Sequence, residues 1–152
     1  MSKMRIVLTS LVCLLCLNSL AQKADIYAKG VKADNSHFTG NVWLNMILNS
    51  DSTYNTAIGK VHFEPNARTY WHKHPAGQIL LVTEGTGWYQ EKGKPIQIIQ
   101  KGEVIKCTPN IEHWHGATPT TSMMHIAIGT NAAQNQVIWS NPVTEREYKM
   151  ER

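Results

Sequence analysis

Two His-x-His pairs stand out among the seven histidines of this 152-residue chain. His72 and His74 lie in Tyr70-Trp71-His72-Lys73-His74-Pro75-Ala76-Gly77-Gln78, and His113 and His115 in Glu112-His113-Trp114-His115. Residues at i and i+2 project from the same face of a β-strand, because side chains alternate across a sheet. A helix would bring residues at i, i+3 or i+4 together instead. Gln78 follows His74 closely enough to swing back beside it from a neighbouring strand. A third imidazole from His113 would complete a three-nitrogen, one-oxygen site for a divalent metal. A lone histidine is usually a surface residue or a satisfied core residue, but two such pairs in strand-like contexts argue for ligation. His115 shares a face with His113 and so points inward with it. It lies a full strand period further on, which suits a pocket residue supporting the ligands. Spacing alone leaves a swap of roles between His113 and His115 open.

Other side chains with chemical potential are fewer. His125 is the candidate general base, since imidazole titrates near neutral pH and can exchange a proton with a substrate hydroxyl. The alternative is a core histidine satisfied by backbone groups. Arg68 either orients an anionic substrate, pairs with Glu64, or holds a turn through backbone hydrogen bonds. Trp71 and Trp114 are out of phase with the histidines and are expected to pack between sheets or between subunits. Tyr70 and Trp88 are placed within reach of the pocket. Gly77, just before Gln78, lets the backbone bend so that the amide can reach a metal.

The N-terminus has the pattern of a secretory signal peptide over residues 1–21. Lys3 and Arg5 supply the charged start, an apolar run over 6–17 follows, and Ser19-Leu20-Ala21 offers small residues for cleavage before Gln22. The run is too short and too interrupted to span a bilayer permanently. Cleavage would yield a secreted or periplasmic protein with no membrane attachment. It would remove Lys3 and Arg5 from 15 basic residues, leaving 13 against 11 acidic ones and a net charge of +2. That balance offers no basic face for nucleic acid. Cys13 and Cys16 would leave with the signal, so Cys107 is the one remaining thiol and no internal disulfide forms. Burial in the core suits Cys107 better than a nucleophilic role.

Residues 22–40 read as a polar arm and 41–152 as one domain of ordinary size. Within that domain, short β-rich runs alternate with turn signals. The expected strands cover about 41–48, 56–64, 69–74, 78–83, 87–91, 95–99, 103–108, 112–117 and 123–129. Turns fall at Glu64-Pro65-Asn66, Glu84-Gly85-Thr86-Gly87, Lys92-Gly93-Lys94-Pro95, Gln100-Lys101-Gly102 and Pro109-Asn110. Thr144 followed by Glu147 is a capping-box pattern and predicts a short C-terminal helix. So many short, evenly spaced strands imply an all-β sandwich or barrel.

These residues resemble a small cupin. The first cupin motif runs from a Gly through His-x-His and a Glu to a second Gly. Asn66, His72, His74, Gln78 and Gly85 occupy those places here. Gly102, Asn110 and His113 answer the second motif. Asn66 and Asn110 replace turn glycines, and Asn is the non-Gly residue that best tolerates left-handed backbone. Gln78 in place of Glu leaves the metal charge unquenched, which favours Lewis acidity.

Longer strings, Phe63-Glu64-Pro65-Asn66-Ala67-Arg68-Thr69, His72 through Gln78, and Glu112-His113-Trp114-His115-Gly116-Ala117, resemble the small bacterial cupins related to carboxymuconolactone decarboxylase proteins. That group includes manganese-dependent hydroxynitrile lyases with a His, His, Gln, His ligand set. The resemblance implies a double-stranded β-helix, the jelly-roll barrel of cupins, and a homodimer. It implies a divalent metal, manganese in the first place with iron, nickel or zinc as alternatives, on His72, His74, Gln78 and His113. It places His125 near that metal as the catalytic residue. Gly59 and Val61 match pocket-lining positions of the family, so His62, out of phase with them, faces away. The expected function is a metal-dependent enzyme acting on a small hydroxylated or carbonyl substrate, hydroxynitrile-lyase-like. A metal-dependent dioxygenase and a secreted metal- or ligand-binding module are the alternatives.

Overall fold

The computed structural model describes residues 25–149. The expected signal peptide over 1–21 lies outside them. Among the described residues no helix is long and apolar enough to cross a membrane.

Among the described residues, twelve strands build the domain: β1 (Val31–Lys32), β2 (Phe38–Thr39), β3 (Val42–Leu48), β4 (Thr56–Phe63), β5 (Arg68–Thr69), β6 (His72–Lys73), β7 (Gln78–Glu91), β8 (Gln97–Gln100), β9 (Val104–Cys107), β10 (His113–Ala117), β11 (Met123–Thr130) and β12 (Ile138–Trp139). A 3-10 turn at Ala132–Gln134 precedes β12, and the helix α1 (Glu145–Tyr148) follows it. All pairings are antiparallel. One sheet runs β1-β3-β4-β11-β7-β9, and the other is built from β8, β7, β10, β5, β6, β2 and β12. The fold is an all-β jelly roll.

β7 belongs to both sheets. Its first half pairs with β11 and β9, and its second half with β10 and β8. The sequence places a turn here, between 78–83 and 87–91. Instead the strand bends through Gly85, whose φ of +73° suits glycine. A β-carbon there would sit 2.0 Å from the Ser122 carbonyl oxygen, so no other residue fits.

The main core lies between the sheets, where alternate residues of β4 (Val61, Phe63), β7 (Leu80, Val82, Tyr89) and β11 (Met123) meet Ile99, Ile105 and Cys107. Burial pushes the Cys107 thiol up to about 12, so it is a packing residue there. A second cluster covers the outer face of the β10 sheet. Trp71, Trp114, Val143 and Tyr148 bury one another, with Trp88 and Ile96 packed against them. The two out-of-phase tryptophans are therefore covered by the chain's own C-terminal segment, not by a second subunit. Period-2 alternation placed them off the pocket face but carried no information on what covers them.

Arg68 belongs to this second cluster as well. Its guanidinium donates to the Val143 carbonyl (3.0 Å), the Glu145 carboxylate (2.7 Å) and the Asn66 carbonyl (3.2 Å), and lies 4.2 Å over the Tyr148 ring. It pairs with Glu145 rather than Glu64, and it pins α1 to the barrel instead of facing a substrate. Trp88 packs on Tyr148 and Tyr70 donates to the Asn35 carbonyl, so neither lines the pocket. On the other sheet, buried Lys60 holds the segment before β1 through Asp25 and the carbonyls of Tyr27 (2.7 Å) and Ala28 (3.3 Å).

Candidate metal centre

His72 and His113 stand directly opposite each other, on β6 and β10. His74 follows β6, and its carbonyl accepts from Gly77 (3.1 Å) and Asn110 (2.9 Å) as the chain turns back into β7. Gly77 takes φ +77° in that turn, where a β-carbon would lie 2.8 Å from the Cys107 carbonyl oxygen. Gln78 opens β7 immediately after. Asn110, at φ +61°, and Asn66, at φ +68°, hold the left-handed turns that glycine holds in the motif.

The ring nitrogens of His72, His74 and His113 lie within 4.8 Å of one another. Two of these rings are oriented by backbone. His72 Nδ1 lies 2.9 Å from the Tyr70 carbonyl and His113 Nδ1 lies 2.9 Å from the Ile111 carbonyl. A carbonyl only accepts, so each Nδ1 carries the proton and each Nε2 keeps its lone pair. His74 Nε2, His113 Nε2 and Gln78 Oε1 are buried with no hydrogen-bond partner. An unsatisfied buried polar atom costs about 1–3 kcal/mol, so several at one place mark a site built for something else. Burial disfavours the charged form of these three imidazoles. Burial holds His72 and His113 below the ordinary range and takes His74 down to about 4, with the neighbouring His113 adding to the effect on His72 and His74. Neutral imidazole is the ligating form. Three nitrogens and one amide oxygen fit a divalent cation.

His115 lines the same cavity, next along β10 on the ligand face. His125 does not line it. Wholly buried on β11, it stands behind His115, with its Nε2 3.3 Å from His115 Nδ1. Burial pushes it down to about 3. The sequence expects His125 to meet the substrate. The structure instead interposes His115, and strand phase alone could not tell which of two inward histidines lies nearer the cavity. His62 is absent from the cavity wall.

The cavity measures about 820 Å³ and its walls are chiefly apolar, with Phe38, Val61, Phe63 and Trp139 beside the histidines. Sequence reasoning passed over two residues here. Trp139, opposite His72 on β12, stacks on His37 and packs 4.8 Å from the His72 ring. Asn135 clamps the loop before Gln78: its Oδ1 accepts from the Ala76 amide (2.9 Å), and its Nδ2 donates to the carbonyls of Gly77 (2.8 Å) and Thr130 (2.9 Å). An Asn–Gln–Val run after a 3-10 turn carries no periodic signal that could reveal either role.

The barrel, the paired motif turns and the clustered histidines define a cupin. Residues 59–129 match the cupin domain family, and the chain belongs to it. The chain is 42% identical over 112 residues to an (R)-mandelonitrile lyase of Granulicella tundricola, covering 74% of this chain and 86% of that protein. Among solved structures, a cupin-like protein from Thermotoga maritima superposes with a TM-score of 0.81 at 47% identity, over 84% of this chain and 96% of its own. A cupin 2 conserved barrel domain protein from Rhodopseudomonas palustris shares the fold at 15% identity, with a TM-score of 0.60 over 72% of each chain.

Proposed function

We propose that this cupin is a metal-dependent lyase of the hydroxynitrile type, cleaving a cyanohydrin to an aldehyde and cyanide. The observation that carries the reading is the set of unpartnered donor atoms of His74, His113 and Gln78 beside His72, at an apolar cavity lined by His72, His74 and Gln78. The relative named as a mandelonitrile lyase supports the choice of reaction. A divalent ion held by His72, His74, Gln78 and His113 supplies Lewis acidity at a substrate oxygen.

His115, at the cavity wall, takes the hydroxyl proton. The oxygen's electron pair then forms the carbonyl, the C–C bond breaks, and cyanide leaves with its pair and takes that proton from His115, giving hydrogen cyanide and returning the imidazole to its neutral form. His125 acts through His115 as a positioning residue, fixing the ring from behind. The apolar walls hold the remainder of the aldehyde and exclude water. The test is metal analysis of protein purified without added metal, followed by assay of cyanide release from cyanohydrins. One divalent ion per chain and turnover are expected. Stoichiometric ligand uptake without turnover would instead assign a binding module.

Three further features belong to the same reading. The ion is manganese, by resemblance, with iron, nickel or zinc as the outcomes that would replace it. The mature chain begins at Gln22 and is exported, on the strength of Lys3, Arg5, the short apolar run and Ser19-Leu20-Ala21. The working form is a homodimer, as is common for cupins.

A further inference from the structure

We propose that the substrate carries a bulky apolar group, the size of a fused two-ring system, seated in a trough of small side chains that starts beside Gln78. The proposal deepens the lyase reading and rests on it for the reacting end of the substrate. On the inner face of the β4–β11 sheet, cross-strand partners run Leu80–Ala127–Gly59–Met46. In the next row Gly129 faces Ala57. Gln78 lies beside that row, one step beyond the Ile79–Ile128 pair. Ala57, Gly59, Ala127 and Gly129 all line the cavity. The row on the other side, Val82–His125–Val61–Leu44, is filled by large side chains. Across β11 and β4, then, two adjacent rows hold nothing larger than a methyl group.

Backbone geometry does not demand glycine at either position. Gly59 and Gly129 are not among the positive-φ residues, unlike Gly77 and Gly85. A β-carbon on Gly129 would meet its neighbours at 3.9 and 4.0 Å, and one on Gly59 would meet Met46 Sδ at 3.4 Å. Glycine within a strand is less stable than alanine by roughly 0.5–1 kcal/mol, so what the two glycines provide is room. The trough opens onto the same cavity that His74 and Gln78 line, whose unpartnered Nε2 and Oε1 mark the metal end of the site, so an apolar group seated in it continues directly from the reacting end. A cavity of about 820 Å³ is in the range that encloses drug-sized ligands and is oversized for a cyanohydrin of one benzene ring.

Two readouts test this on the metal-loaded protein: kcat/KM for naphthaldehyde cyanohydrin and for mandelonitrile, and equilibrium dialysis of naphthaldehyde and benzaldehyde. Parent protein is expected to favour the naphthyl compounds in both. Gly59→Val and Gly129→Val should lower naphthyl binding and kcat/KM by about tenfold or more, the scale of filling a hydrophobic pocket. Mandelonitrile turnover should fall less than naphthyl turnover, so that the preference narrows or reverses, while metal content stays near that of the parent. Circular dichroism checks folding, and Gly129→Ala gives the same direction at smaller size should a valine variant fail to fold. Mandelonitrile turnover with no naphthyl preference, or with a preference the variants leave intact, overturns the trough and leaves the lyase reading standing. Naphthaldehyde binding lost in the variants, with no cyanohydrin turned over by the parent, upholds the trough and rejects the lyase.

Discussion

A ligand such as Gln78 is only as good as the loop that aims it, and Asn135 holds that loop by two hydrogen bonds, to the Ala76 amide and the Gly77 carbonyl, while a third ties Asn135 to the Thr130 carbonyl of β11. Asn135→Ala would leave the Ala76 amide and the Gly77 carbonyl without their partner and let the Gln78 amide wander. Losses of 10–100-fold in metal affinity are usual when an outer partner of a ligand is removed. The expected result is a comparable drop, read by competition with a fluorescent chelator, together with a lower melting temperature of the metal-free protein, since the buried backbone groups lose their partner at about 1–3 kcal/mol each. His72→Ala and His113→Ala should empty the site at the same total metal, since a ring is lost outright; full occupancy in either would reject the assignment. His125→Ala should keep its metal, because the ring stands behind His115 and is not one of the clustered donors. A fall in kcat with KM little changed and a shifted pH profile would show that it acts through His115. Unchanged turnover would remove it from the mechanism. At this scale the sequence was legible where a strand's period of two repeats, as in His72/His74 and His113/His115. It was silent on Asn135, whose role consists of hydrogen bonds to backbone far away in sequence.

Among the elements, α1 has the most testable energetics. Thr144 and Glu147 form a reciprocal capping box at its start, as the sequence predicts. Removing the cap with Thr144→Ala should cost about 1 kcal/mol. Tyr148→Ala should cost more, about 3–5 kcal/mol as for other large buried aromatics, because Tyr148 is fully buried and its hydroxyl donates to the Ala117 carbonyl at 2.9 Å. Denaturant unfolding followed by tryptophan fluorescence reads both. The Arg68 side chain, first by hydrogen bond and then by charge, holds the Glu145 carboxyl below its ordinary value. A carboxylate lowered in the folded state stabilises above its unfolded pKa and loses that contribution as pH falls through the folded one. The Trp71–Trp114 cluster should therefore loosen in acid, starting near the ordinary Glu value of about 4.3. Glu145→Gln should abolish that part of the pH dependence; an identical acid titration would show that α1 is held otherwise. The long strands were readable from alternation and turn residues. The expected strand over 69–74 splits into β5 and β6 because the amides of Tyr70 and Trp71 bond outward to His37 and Asn141. β1, β2 and β12 have two residues each, too few for a period to show.

For the whole molecule, the open question is what covers the edge of the β1 sheet. β1 is the terminal strand of that sheet, and its Val31 is 72% exposed while also lining the cavity. Met46, on the adjacent β3, is exposed as well. An unpaired edge carrying apolar side chains is a template for pairing with another chain. The tryptophans that alternation suggested for this purpose are covered internally, so the β1 edge is the better candidate for the expected dimer contact. A second copy seated there would bury Val31 and close one side of the cavity. Light scattering on residues 22–152 should give twice the mass of the chain at micromolar concentration. Val31→Lys, a charge placed on the edge, should shift the protein toward monomer without unfolding it, because Val31 is exposed within the single chain. A parent that scatters as a clean monomer rejects the dimer. A Val31→Lys protein that stays dimeric moves the contact to another face.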